Sequence, residues 1–184
     1  LPIYLAKEGC TYLQIDDVPS AVLCDPKNKA IVRARGEDPD KLIDEYFELH
    51  NAAVSGRPAN MLLAVHLCRG NSGHGQASGG YDPIAERLFN KVDADGYFLE
   101  YDTERAGGFE PLRHLPKDRF AVLGILSTKM MSLEPEDEIR RKVDAATKFA
   151  DLNRLCLSPQ CGFSSSALTA RSTEDEQVRK LSHL

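Results

Sequence analysis

The chain has 184 residues, 42% hydrophobic and 28% charged, with a formal net charge of -5. That is the composition of one globular domain with a real core, and its mild acidity with scattered Lys and Arg argues against a nucleic-acid partner. No apolar run approaches the roughly 20 residues of a membrane-spanning helix, so no membrane partner is expected.

The opening residues LPIYLAKEG lack the charged start and small-residue cleavage site of a secretory signal, which makes the cytoplasm the expected compartment. Cysteines at 10, 24, 68, 156 and 161 are odd in number and widely spaced, which predicts free thiols or metal ligands rather than bridges.

In chain order, LPIYLAKEGC reads as the last turns of a helix closed at Gly9, so the chain is expected to continue a longer protein. Strand-like runs follow at 11–16 (TYLQID), 61–68 (MLLAVHLC), 96–102 (GYFLEYD), 119–126 (RFAVLGIL) and 154–161 (RLCLSPQC). Helical signals lie between and after them at 38–56, 133–150 and 172–184. The second starts near Pro135 with acids in its first turn, and the third carries Thr173 and Glu176 at capping-box spacing. Strands alternating with helices predict parallel pairing through right-handed crossovers.

Two architectures meet that pattern, an open doubly wound sheet and a (β/α)8 barrel. No G-x-G-x-x-G follows the first strand, which weakens a dinucleotide-binding sheet. Polar groups instead collect at the strands' C-terminal ends: Asp16 and Asp17, His66 and Cys68, Glu100 and Asp102, Ser127 to Lys129, Gln160 and Cys161. A barrel mouth is built in that way. A whole barrel needs eight strands and about 250 residues, so residues 1–184 are expected to supply about five βα units of one barrel domain, its C-terminal part. Alone, five strands leave two open sheet edges, so this stretch is not expected to function by itself.

His66 and Cys68 are two positions apart in a strand and therefore share a face, roughly 7 Å apart along it. A lone His or Cys in an apolar strand is ordinarily packing. Glu100, however, ends an apolar strand, and a buried unpaired carboxylate costs several kcal/mol, so it requires a cation. With Cys161 in the SPQCG turn, these four make a mixed nitrogen, sulfur and oxygen set of the kind zinc accepts.

These motifs resemble the cobalamin-independent methionine synthases and their shorter relatives: LQIDD at the first strand, H-x-C at 66–68, the acid of FLEYD, and SPQCG 61 residues after it. The resemblance implies a Zn2+ held by His66, Cys68, Glu100 and Cys161, and Asp16 binding the amino group of a homocysteine thiol. It implies methyl transfer to that thiol from methyltetrahydropteroylglutamate, in methionine biosynthesis, with the remaining barrel strands supplied by an upstream segment or another chain.

Three departures from the family stand out. Asp17, a substrate-binding candidate beside Asp16, occupies the place of a glutamate. The family's folate-contacting acid has no counterpart in DDVPSAVL, so the zinc and thiol side matches the family while the methyl-donor side does not. Its proton-donating histidine falls on STKMM, leaving Lys129 or a neighbour in its place. An amine there would need a depressed pKa to donate efficiently at neutral pH. DTERAGGFEPLRHLP resembles the shorter relatives, and its Arg105 and Arg113 are open to two readings: guanidinium forks for a substrate carboxylate or sulfonate, or salt bridges ordering a loop. The first would suit an epoxyalkane:coenzyme M transferase-like alternative, in which the thiol meets another electrophile. A non-catalytic metal-binding barrel is a further alternative. The glycine-rich stretch from Gly70 to Gly80, with His74 inside, is either a lid or a plain insertion.

Overall fold

The structure, a computed structural model, describes residues 2–70, 77–164 and 172–183. Five strands, β1 (Tyr12–Asp16), β2 (Leu62–Leu67), β3 (Gly96–Glu100), β4 (Phe120–Leu126) and β5 (Leu155–Pro159), form one sheet in sequential order, every pair parallel. A doubly wound sheet requires a point where strand order reverses. None exists among these five, so right-handed crossovers put the connecting helices on one face.

Side-chain alternation sorts the two faces. Val65, Leu67, Tyr97, Leu99, Leu123 and Ile125 join the core cluster under the helices. The even-numbered His66, Phe98 and Gly124 instead line a cavity of about 750 Å³ on the opposite face. The inner strand β4 is buried along almost its whole length, whereas β1 and β5 at the sheet's ends are largely half-exposed or exposed. This gradient is expected where only the inner strands are covered on both faces.

The helices are α1 (Pro2–Lys7), α2 (Val18–Val22), α3 (Pro26–Ala34), α4 (Pro39–Val54), α5 (Ala85–Lys91), α6 (Glu136–Ala146) and α7 (Glu174–Leu181). Aspartates start three of them: Asp17, Asp25 and Asp38 each accept from a backbone N–H of the first turn, and a proline follows at the first or second helical position. Helix α4 buries Ile43, Phe47, His50 and Val54, one helical stripe, against the sheet. The capping box read from Thr173 and Glu176 is present at α7. Helices α4 and α6 lie inside the predicted 38–56 and 133–150, while α2, α3 and α5, the last of which buries Ala85, Leu88 and Phe89 on one stripe, were not expected.

At the N-terminal end of the sheet, Asp95 accepts from Arg57 at 2.6 Å, Arg119 at 2.6 Å and the Leu63 N–H at 2.8 Å. This ties β2, β3 and β4 together opposite the candidate site. No described helix is long and apolar enough to cross a membrane.

Candidate metal centre

The cavity lies at the C-terminal ends of the strands, where parallel packing leaves polar residues uncovered. His66 and Cys68 reach it from the end of β2, and Cys161 from the turn after β5. The Cys161 Sγ lies 3.2 Å from the Cys68 Sγ and 3.3 Å from the His66 Nε2. All three donor atoms fall within 4.8 Å of one another, and among the described residues this is the one such group. Each sulfur also accepts an N–H: Gly70 N donates to Cys68 at 3.3 Å and Gln160 Nε2 to Cys161 at 3.0 Å. The hydrogen bond from Cys161 holds the Cys68 thiol well below the ordinary range, His66 and Gly70 assisting, whereas the neighbouring Cys68 sulfur and burial push Cys161 up.

Glu100, expected as the fourth ligand, does not join the group of converging donors. Its carboxylate is fully buried and already has its cations: Arg105 and Lys129 Nζ, the latter at 3.3 Å, share Oε1, while the Arg69 N–H donates to Oε2 at 3.1 Å. The sequence argument that this acid needs a cation is met by side chains. Burial pushes Glu100 above its ordinary value, against the pull of Lys129 and Arg105. Glu100 still lies close enough to Cys161 for its charge to be felt there.

Lys129, expected at a proton-donating position, is the counter-ion of two carboxylates. Its Nζ lies 2.7 Å from Asp102 Oδ2, which also accepts from Ser127 Oγ at 2.9 Å. Burial works against ionisation of Asp102, but the Lys129 ammonium and the Ser127 hydroxyl outweigh it and hold the carboxyl below its ordinary range. Neither Lys129 nor Glu100 is among the residues lining the cavity.

Arg105 follows the loop-ordering reading. Besides Glu100 it donates to the carbonyls of Ala77 at 3.1 Å, Gly70 at 3.4 Å and Arg69 at 3.5 Å, clasping both ends of the glycine-rich stretch. Arg113 pairs with Asp82 at 3.0 Å on the surface and caps the Glu110 carbonyl. Neither guanidinium lines the cavity, because each already has acceptors of its own. Residues 71–76, including His74, lie outside the described residues, and with them the lid reading.

Of the two aspartates at the C-terminal end of β1, Asp17, just past the strand, is the helix cap, accepting from Ser20 N at 3.1 Å. Asp16 is exposed on the cavity side, in register with His66, and accepts from Gln14 Nε2 at 3.2 Å. Gln160, named in the sequence reading only as a strand-end polar group, proves to be a direct partner of Cys161.

No family model matches the chain. Two curated Bacillus subtilis (strain 168) proteins, YxjH and YxjG, each named as uncharacterized, are 42% identical to it over 178 residues, covering 96% of this chain and 47% of theirs. A solved Listeria monocytogenes protein, provisionally described as a vitamin-B12-independent methionine synthase, matches at 36% identity and TM-score 0.75, over 98% of this chain and 48% of that one. In sequence and fold the chain is similar to that protein over about half of that protein's length. A B12-independent methionine synthase from Shewanella sp. W3-18-1, in complex with selenomethionine, has a similar fold at TM-score 0.72 and 18% identity, over 97% of this chain and 48% of that one. The chain thus spans about half the length of the proteins it matches.

Proposed function

We propose that the chain carries the metal centre of a zinc-dependent methyltransferase that moves a methyl group to a substrate thiol. The full reading is homocysteine as acceptor and methyltetrahydropteroylglutamate as donor, a cytoplasmic step of methionine biosynthesis. The observation that carries it is the convergence of one imidazole and two thiols on a single point beside a cavity. Sequentially ordered parallel strands support a (β/α)8 barrel of which residues 1–184 form the C-terminal part, the remaining strands coming from an upstream segment or another chain. A cavity-facing sheet with uncovered edges supports the same arrangement.

The residues fit zinc on donor chemistry. Catalytic zinc takes three protein ligands and leaves one position open, and His66, Cys68 and Cys161 are three such ligands facing a cavity. Bound there, zinc would acidify an incoming thiol and present it as a thiolate at neutral pH. The chain's own residues do the rest. Cys68 and Cys161 would supply the anionic sulfurs, and the Gly70 and Gln160 N–H groups offset their charge. Asp16, on the same face as His66, is placed to take a substrate ammonium through a charge-assisted hydrogen bond, which would orient an amino thiol with its sulfur toward the cysteines. Phe98 supplies an apolar wall that excludes water from that approach.

The coenzyme M alternative required Arg105 or Arg113 for the sulfonate, and both are engaged elsewhere. Calorimetry on the zinc-loaded full-length polypeptide distinguishes the two. Homocysteine is expected to bind in a zinc-dependent manner and to be methylated in a donor assay. Tighter binding of coenzyme M, or thiol binding indifferent to zinc, would overturn this reading.

A further inference from the structure

The hydrogen bonds around Cys161 single out its neighbour. Gln160 is 1% exposed and held at three points: its N–H donates to the Leu126 carbonyl at 2.7 Å, its carbonyl accepts from Thr128 Oγ1 at 2.9 Å, and its Nε2 donates to the Cys161 Sγ at 3.0 Å. The carboxamide lies directly over β4 at Gly124. A Cβ at that position would meet Gln160 Oε1 at 2.9 Å and the Leu99 carbonyl at 3.2 Å, closer than side chains normally approach. Glycine here leaves the amide room to turn its N–H toward the sulfur, whereas a Cβ would press on its oxygen.

We propose that Gln160, seated over Gly124, is a positioning residue of the metal centre that aims the Cys161 sulfur at Cys68 and His66 and disperses its negative charge. This rests on the zinc reading and deepens it. An N–H donor on a coordinating thiolate fixes the sulfur's direction and lowers its electron donation to the metal, and outer partners of this kind typically change metal affinity by about 10–100-fold when removed. Outside the three donors themselves, Cys68 accepts the longer backbone contact from Gly70 and Cys161 the shorter side-chain contact from Gln160, so the two sulfurs are held unequally.

The test uses the full-length polypeptide, with zinc affinity read by chelator competition and cobalt(II) substituted as a spectroscopic probe. Gln160→Leu is expected to weaken zinc about 10–100-fold and to shift the sulfur-to-cobalt charge-transfer band to lower energy, because the thiolate becomes the stronger donor. Gln160→Glu keeps the shape, removes the donor and sets a carboxylate against the sulfur, so it should weaken zinc at least as much. Gly124→Ala, which displaces the amide without changing its chemistry, should move both readouts in the direction of Gln160→Leu. Wild-type affinity and an unshifted band in both Gln160 variants would overturn the proposal, and a normal Gly124→Ala would remove the glycine's part in it. A parent protein that binds neither metal fails the zinc reading itself, a distinct outcome.

Discussion

Replacing Arg105 by alanine tests whether the residues around the metal centre are arranged as described. The Arg105 side chain is 16% exposed and pairs with Glu100, which is 0% exposed, while holding the carbonyls of Arg69, Gly70 and Ala77. In Arg105→Ala the buried carboxylate keeps only Lys129 at 3.3 Å and the Arg69 N–H at 3.1 Å. Breaking a buried pair from one side costs about 3–5 kcal/mol, and because Lys129 remains the lower end applies, about 3 kcal/mol. At about 2–4 °C per kcal/mol for a cooperative unit of this size, the midpoint should fall by roughly 6–12 °C.

The loss should depend on pH. Burial already raises the Glu100 carboxyl, and deleting Arg105 removes an influence that lowers it. A carboxyl raised in the folded state binds its proton more tightly there than in the unfolded chain. The folded form is therefore favoured below the ordinary glutamate value, and that contribution is lost as pH rises through the folded value. Thermal unfolding followed by circular dichroism should thus show a smaller deficit near pH 5 than near pH 8, since the window opens at about the ordinary glutamate value. Adding Glu100→Gln to Arg105→Ala should recover part of the loss near neutral pH, the two sites being directly coupled. A deficit below about 1 kcal/mol, or one equal at both pH values, would refute the reasoning.

Arg113→Ala should behave differently: with Arg113 48% and Asp82 51% exposed, the pair is worth under about 0.5 kcal/mol, and denaturant titration and zinc content should match the parent. Asp16→Asn should retain zinc by elemental analysis yet bind homocysteine about 10-fold or more weakly, while a thiol lacking the amino group binds equally to both proteins. Equal homocysteine affinity in parent and variant would remove Asp16 from the site.

Much of the fold was legible because its signals are local. Five apolar runs became five strands within one or two residues at each end, and α4 showed its buried stripe. Helices α2 and α3 were missed, although Asp17, Asp25 and the following prolines mark their starts, because α2 is only 5 residues long and α3 buries no side chain. At the site, strand alternation sufficed to place His66 and Cys68 on one face, and Cys161 was recognisable from its turn motif. The destination of Glu100 was legible only in part: burial of an acid demands a positive charge, but residue types alone do not say whether a metal or a side chain supplies it. Arg105 and Lys129 answer that demand from loops whose course no periodicity encodes. Gln160 escaped notice because a carboxamide beside a cysteine acquires meaning only when Gly124, 36 residues upstream, lets it turn inward.

The central claim is that one imidazole and two sulfurs hold a single zinc ion. X-ray absorption at the zinc edge of the full-length polypeptide tests it most directly. The account predicts two sulfur scatterers at about 2.3 Å and an imidazole nitrogen at about 2.0 Å, with one sulfur lost in each of Cys68→Ser and Cys161→Ser. A first coordination sphere without sulfur, or protein from zinc-replete medium that carries no zinc, would contradict it.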